Sequence, residues 1–295
     1  MTAFLQLLFQ GLALGCIYAL VAVGFTVIYR ASQVINFAQG SLLLVGAYLI
    51  SVFATGLNVP FGLAVIAAVA LLAVGCVAFQ TIVLQRVLGQ PVFVLVMITI
   101  GLSIVIDSAI PAIFGGNSRV LGDPWGASAV HAGGITFNWV RIWTVVCTGV
   151  VLALYFAFDR FSRYGLAMRA TAADQEAALA VGVPIRRVYA LTWAIAGAVA
   201  AVGGLFLSGF PSSVNPTLGD VALRAFPAII LGGLDSLPGA VVGGIAIGIV
   251  EVLTSSYAPG WLGNNFSDVA PYVLMIAVLL VRPYGLFGTR PVERI

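Results

Sequence analysis

Two carboxylates stand inside long apolar runs of this chain, Asp107 and Glu251. An acid at bilayer depth is costly, so each is by default a candidate for facing a water-filled path or carrying a proton. Asp107, about seven residues from the end of its run, reads more simply as a residue near the membrane surface. For both acids the plainer alternative is a hydrogen-bonded pairing with a neighbouring helix. A denser concentration of polar chemistry lies between Asp159 and Arg187, which hold five of the thirteen arginines and three of the ten acidic residues. Inside this island runs Glu176-Ala177-Ala178-Leu179-Ala180-Val181-Gly182. Two further stretches break apolar runs: Asn36, Gln39 and Ser41 in one, and Gly232, Gly233 and Gly239 with Asp235 and Pro238 in the other. Unwound backbone at membrane level needs protein or water to satisfy its polar groups, so such breaks are candidates for lining a path. An interhelix turn is the bland alternative for each.

Several chemistries are excluded. The chain contains no lysine, so it has no G-x-x-x-x-G-K-[ST] phosphate loop and hydrolyses no ATP through one. It has no H-E-x-x-H, no nucleophile elbow with triad partners, and no paired carboxylates within an apolar run. Cys16, Cys76 and Cys147 lie in apolar runs without C-x-x-C spacing, which reads as packing. The single histidine, His131, in a glycine-rich loop, makes neither a metal site nor a triad. Passage of a solute, signalling and scaffolding remain.

The elements that position these residues must be membrane helices. With 61% hydrophobic and 8% charged residues and a mean hydropathy of +1.13, a soluble fold of 295 residues could not cover its surface. The net charge of +3 comes from arginine alone and bears on orientation, not on nucleic acid. Met1 to Phe4 lack a basic region and cleavage site, so the first apolar run is read as retained. Leu5 to Tyr29 is uncharged and as a helix spans roughly 37 Å, more than the ~30 Å hydrocarbon core. Further apolar segments follow at 37–53, 60–84, 92–114, 142–158, 188–210, 221–233, 240–257 and 269–281, the seventh short for a crossing. The expectation is an all-α polytopic bundle of about 8 to 9 segments, with broken helices, forming a single transmembrane domain over 1–295.

If all nine segments cross from an external N-terminus, ten arginines fall inside and three, Arg119, Arg141 and Arg224, outside. A seventh segment that turned back would make the count seven to six, so nine crossings are preferred. The island is then cytoplasmic, and residues 115–141 form the main external loop. Small residues spaced by four, Gly11 with Gly15, Ala196 with Ala200 and Gly204, Gly239 with Gly243, and Gly244 with Gly248, predict close helix approach. Within the island, residues 172–181 have good helix formers, end at Gly182 and are followed by Pro184, which predicts one short helix with a clear stop. Asp174 and Glu176 near its start suit the helix dipole, and Arg169, Arg186 and Arg187 could meet acidic partner surface or lipid headgroups.

In order along the chain, Gly11 to Tyr29 with Val34 to Gly40, Arg169 to Gly182, Ala228 to Ala240 and Arg282 to Gly288 resemble the LivH-type permeases of branched-chain amino-acid ABC importers. The likeness runs from about residue 8 to 289. It departs at residue 41: the family pattern has His or Gln at 39, as in Gln39 here, but often an acid at 41, where this chain has Ser41. The resemblance implies a permease subunit that moves branched-chain amino acids or a related small polar solute inward. Its partners would be a second homologous permease, two cytoplasmic ATPases that hold ATP and Mg, an external solute-binding protein and membrane lipid. It further implies that Arg169, Asp174, Glu176, Ala177, Ala178 and Gly182, within a cytoplasmic loop at 159–187, form the element that docks on the ATPase. Asn36, Gln39, Ser41, Gly232, Gly233 and Gly239 are the candidates for the path. No cofactor is expected on this chain, and the location implied is the bacterial inner membrane. A urea or amide permease of the same family and a proton-coupled secondary transporter are the alternatives.

Overall fold

The computed structural model describes residues 2–87, 89–126, 128–132, 135–209, 213–259 and 266–289, the side chains of residues 131, 132, 135, 221 and 222 excepted. Twelve α-helices are found among them: α1 (Thr2–Ser32), α2 (Gln39–Ser51), α3 (Phe61–Ile82), α4 (Val92–Phe114), α5 (Trp139–Phe161), α6 (Arg163–Ala173), α7 (Gln175–Ala180), α8 (Ile185–Ser208), α9 (Leu218–Leu223), α10 (Phe226–Gly232), α11 (Leu237–Tyr257) and α12 (Phe266–Val281). A π-helical turn, Val52–Gly56, prolongs α2. Seven helices are long and apolar enough to cross a membrane, and α12 is a shorter apolar helix.

Burial follows the apolar pattern. Helix α1 is apolar on every side and is almost continuously buried from Gly11 to Ile28, as an all-round apolar helix must be when other helices surround it. It crosses α11 through the glycines that the sequence singles out. A Cβ on Gly15 would stand 2.6 Å from the Cα of Ile245, and one on Gly248 would run into the backbone of Gly15. Helices α2 and α8 complete the core, with Gly204 seated against the carbonyl of Leu43. Helices α3 and α4 are peripheral and present Leu63, Ile66, Val74, Ile104, Val105 and Ile113 outward, the face expected of helices that meet lipid or another subunit.

Two small antiparallel ribbons interrupt the otherwise helical chain. In residues 115–138, β1 (Arg119–Val120) pairs with β4 (Ser213–Val214), and β2 (Ala129–Ala132) pairs with β3 (Ile135–Asn138). Phe137 of β3 packs edge-on against Phe9, 4.9 Å between ring centroids, which puts this loop beside the start of α1. His131 lies on β2, and its side chain falls outside the described set.

The short seventh segment crosses in two pieces. It leaves β4 beside the 115–138 loop and ends at Asp235, which accepts a hydrogen bond from the Thr289 amide (3.1 Å) and lines a groove with Arg30, Asp159 and Arg169 at the opposite end of the bundle. Helices α9 and α10 therefore carry the chain from one end to the other, and the turned-back alternative is excluded. The helix breaks at Arg224 and Ala225, just before Pro227, whose missing N–H costs no helical hydrogen bond in a first turn.

Candidate functional site

At the arginine-rich end, Ser162 stops α5 and caps α6 by accepting from the Gly165 amide (2.8 Å). Gly165, lacking a Cβ, lies on the backbone of Asp159, which tightens the corner. The carboxylate of Asp159 faces Arg30 at the end of α1 (3.8 Å) and Arg169 on α6 (3.4 Å). Arg169 is thus tied to its own chain while its side chain stays 36% exposed.

The single helix predicted over 172–181 is divided. Asp174 is extended and its Oδ1 accepts from the Ala177 amide (3.0 Å), so it ends α6 and caps α7. The short side chain of Asp competes with the backbone for the amides of the next turn, and this local contest breaks the run. Glu176 sits in the first turn, favourable to the helix dipole, and Gly182 ends α7 with φ +85°, a left-handed conformation suited to glycine. Ala178 is buried against the bundle, whereas Glu176, Ala177, Leu179 (56% exposed) and Val181 (80%) face outward. Arg160, Arg163, Arg186 and Arg187, in the stretches of chain that flank α7, are exposed.

The first break, at the start of α2, gathers buried polar groups. Asn36 and Gln39 are fully buried and Ser41 is 2% exposed. Asn36 accepts from the Ala38 amide (3.1 Å) and donates to Gln39 Oε1 (3.3 Å), and Gln39 Nε2 donates to the Ala196 carbonyl on α8 (3.4 Å). Gly24 on α1 makes room for the Gln39 amide. Gln39 therefore brackets three helices together. Asn36 also lines a cavity of about 240 Å³ that opens toward the arginine-rich end, together with Ser32, Gln80, Thr99, Trp193 and Gln175. Ser41 turns the other way and shares a hydrogen bond with Ser103 on α4 (2.8 Å), which donates to Asp107 Oδ2 (3.1 Å).

The second break closes an interhelix corner; Asp235 and Pro238 line the groove with Arg30, Asp159 and Arg169, and Gly232, Gly233 and Gly239 do not. Gly232 and Gly239 meet backbone to backbone, Gly233 has φ +103° against the backbone of Gly288, and the amides of Leu286 and Phe287 donate to the carbonyls of Leu231 (2.8 Å) and Gly232 (3.0 Å). Beside each of Gly232, Gly233 and Gly239 the volume is filled by this chain's own backbone.

The two acids differ in kind. Glu251 accepts from the Tyr18 hydroxyl (2.7 Å) and faces Arg224 (3.6 Å), which also holds Asp268 (2.7 Å), so the broken segment, α11 and α12 are joined near the 115–138 end. Asp107 is exposed, with Ser103 donating to it. Sequence reading overlooked Thr99 and Ser103. The spacing Thr99, Ser103, Asp107 is four residues each time, a polar stripe on one helix face, and that stripe was visible in the sequence. Among the described residues no group of three or more His, Cys, Asp or Glu could hold a metal ion.

The family described as branched-chain amino acid transport system / permease component matches residues 7–279. The chain belongs to that family. LivH of Escherichia coli (strain K12), a high-affinity branched-chain amino acid transport system permease protein, is 35% identical over 99% of this chain and 98% of its own length. BraD of Pseudomonas aeruginosa, of the same description, is 30% identical over 99% and 98%, and a probable LivH of Methanocaldococcus jannaschii is 30% identical over 91% and 88%. Among solved structures, PsaBC from Streptococcus pneumoniae in complex with Fab aligns over 95% of this chain and 92% of that chain at 14% identity and TM-score 0.48, too distant to add detail. The protein is a multi-pass inner-membrane permease subunit of an ABC importer, a transport component that works with ATPase and solute-binding partners.

Proposed function

We propose that this permease moves branched-chain amino acids into the cytoplasm, as one transmembrane domain over 1–295 paired with a second homologous permease and driven by two ATPases. The names of its LivH and BraD relatives support the cargo. ATP and Mg belong to the ATPases, and an external binding protein delivers the solute; no nucleic acid takes part. The observation that carries the coupling role is α7: a capped helix of six residues that leaves Leu179 and, at its C-cap, Val181 exposed, in a stretch of chain with exposed arginines on both sides, where a lone chain would bury such side chains. The loop 159–187 would be the docking element, with Glu176, Ala177 and Leu179 against the ATPase, Asp174 and Gly182 fixing the helix ends, and Ala178 and Arg169 fixing it to the bundle. Closure of the ATPases would shift α7 as a rigid body and, through α6 and α8, switch access between the two sides.

The deciding experiment uses the assembled complex in proteoliposomes with external binding protein. Uptake of radiolabelled leucine should require ATP inside the ATPase compartment and survive a protonophore. Uptake that persists without ATP and collapses with the protonophore would establish a secondary carrier instead, and uptake of urea in place of leucine would reassign the cargo.

A further inference from the structure

Asp107 is a carboxylate on a helix that the rest of its own chain scarcely covers. It lies about two turns inside the end of α4, roughly 10 Å at about 1.5 Å per residue, well within the apolar span. A charge exposed at that depth does not face hydrocarbon; it faces water, a solute or another protein. Among the described residues no ion pair involves it, and Oδ2 takes the Ser103 hydroxyl. The groove in front of it is built from α2, α4 and α9. Gly219, the second residue of α9, leaves the gap open, since a Cβ there would stand 3.6 Å from Asp107 Oδ1 and 3.6 Å from the Gly40 carbonyl oxygen. A carboxylate oxygen and a backbone carbonyl thus stand beside Gly219, and the paired hydroxyls of Ser41 and Ser103 (2.8 Å) reach the other carboxylate oxygen.

This set matches an ammonium group. An alkylammonium has three donors and no acceptor, and it pairs with one carboxylate and neutral oxygens without needing a second charge. A divalent metal ion would take six or more oxygens, and among the described residues no group of three or more His, Cys, Asp or Glu gathers here. We infer that Asp107, with Gly40, Ser41 and Ser103, recognises the α-ammonium group of an amino-acid substrate during passage, and that Gly219 keeps the space for it. The inference rests on the amino-acid reading above and deepens it by naming the contact that tells an amino acid from a neutral amide.

The test uses the assembled complex in proteoliposomes with leucine-loaded or unloaded binding protein, reading leucine uptake, the ATPase stimulation that loading adds, and the subunits that co-purify. D107N should lower leucine uptake about tenfold or more, as expected for loss of one charge-assisted hydrogen bond. Its basal ATPase and subunit composition should match wild type, and D107E should recover a substantial part of uptake. G219A, which a helix accepts readily, should fill the gap and lower uptake in the same direction without moving the melting temperature. Wild-type leucine uptake in D107N and G219A would overturn the inference while leaving the permease reading intact. Loss of the second permease from the D107N complex would make Asp107 an assembly contact and overturn it as well. If the unsubstituted complex itself moves urea and not leucine, the cargo reading fails first and the ammonium site falls with it.

Discussion

The Tyr18 hydroxyl, 1% exposed, donates to a carboxylate that is 9% exposed, on a helix 233 residues away in sequence. Charge-assisted hydrogen bonds of this kind contribute more than neutral ones, and Glu251 left with Arg224 alone at 3.6 Å would be poorly satisfied. Tyr18→Phe should therefore lower stability by about 1.5–3 kcal/mol, read as a drop in melting temperature of the purified permease, whereas a near-zero shift would mean that water replaces the hydroxyl. Steric limits are as local. Gly15→Val places branched atoms where Ile245 Cα already lies 2.6 Å from a Cβ, so α1 and α11 must separate; overpacking of this kind costs about 1–3 kcal/mol and should cut the yield of folded protein. The glycines at this crossing were legible in the sequence because their spacing of four puts them on one helix face. The partners of Glu251 were not, because a contact spanning 233 residues leaves no local pattern.

At the scale of elements, the spans were readable from length and apolarity, and the island from its charge, but internal breaks were not. Residues 172–181 looked like one helix because alanine is abundant there, and a single Asp174 capping bond divides it. Likewise 221–233 appeared too short to cross, since the piece before Arg224 is polar enough to be missed. The cap gives a prediction. Asp174→Ala should weaken α7 by about 1 kcal/mol, seen as faster amide exchange in residues 175–180 with little change in global melting; unchanged exchange would show that Ala178 packing alone holds the helix. The path proved the least legible element. Asn36 and Gln39 meet at the start of α2 while Ser41 turns to Ser103, and Gln39 is committed to Asn36 and Ala196, while the glycines of 232–239 pack on their own chain. Polar residues in an apolar run signal that partners exist without saying which side they come from.

For the whole molecule, arginine distribution and connectivity agree. Arg30, Arg160, Arg163, Arg169, Arg186 and Arg187 share the end that holds Asp235 and Thr289, while Arg119 lies in the loop at the other end. Positive residues collect on the cytoplasmic side, so cysteines placed at Arg187 and Thr289 should react with a membrane-impermeant maleimide only in inverted vesicles, and one at Gly116 only in right-side-out cells. Labelling of Thr289 and Arg187 from opposite sides would refute the broken crossing. The exposed apolar faces of α3 and α4 leave room for a second permease, and the prominence of α7 leaves room for the ATPase.

The central claim is that α7 transmits the work of the ATPase into the bundle. The most direct measurement replaces Leu179 and Val181 together with Asp in the assembled complex and compares ATP hydrolysis, ATPase retention and leucine uptake with wild type. Buried apolar contacts of this size are worth about 1.5–3 kcal/mol each, so the account predicts loss of ATPase from the purified complex and of uptake, with the permease still folded. Full retention of the ATPase and undiminished uptake would contradict it.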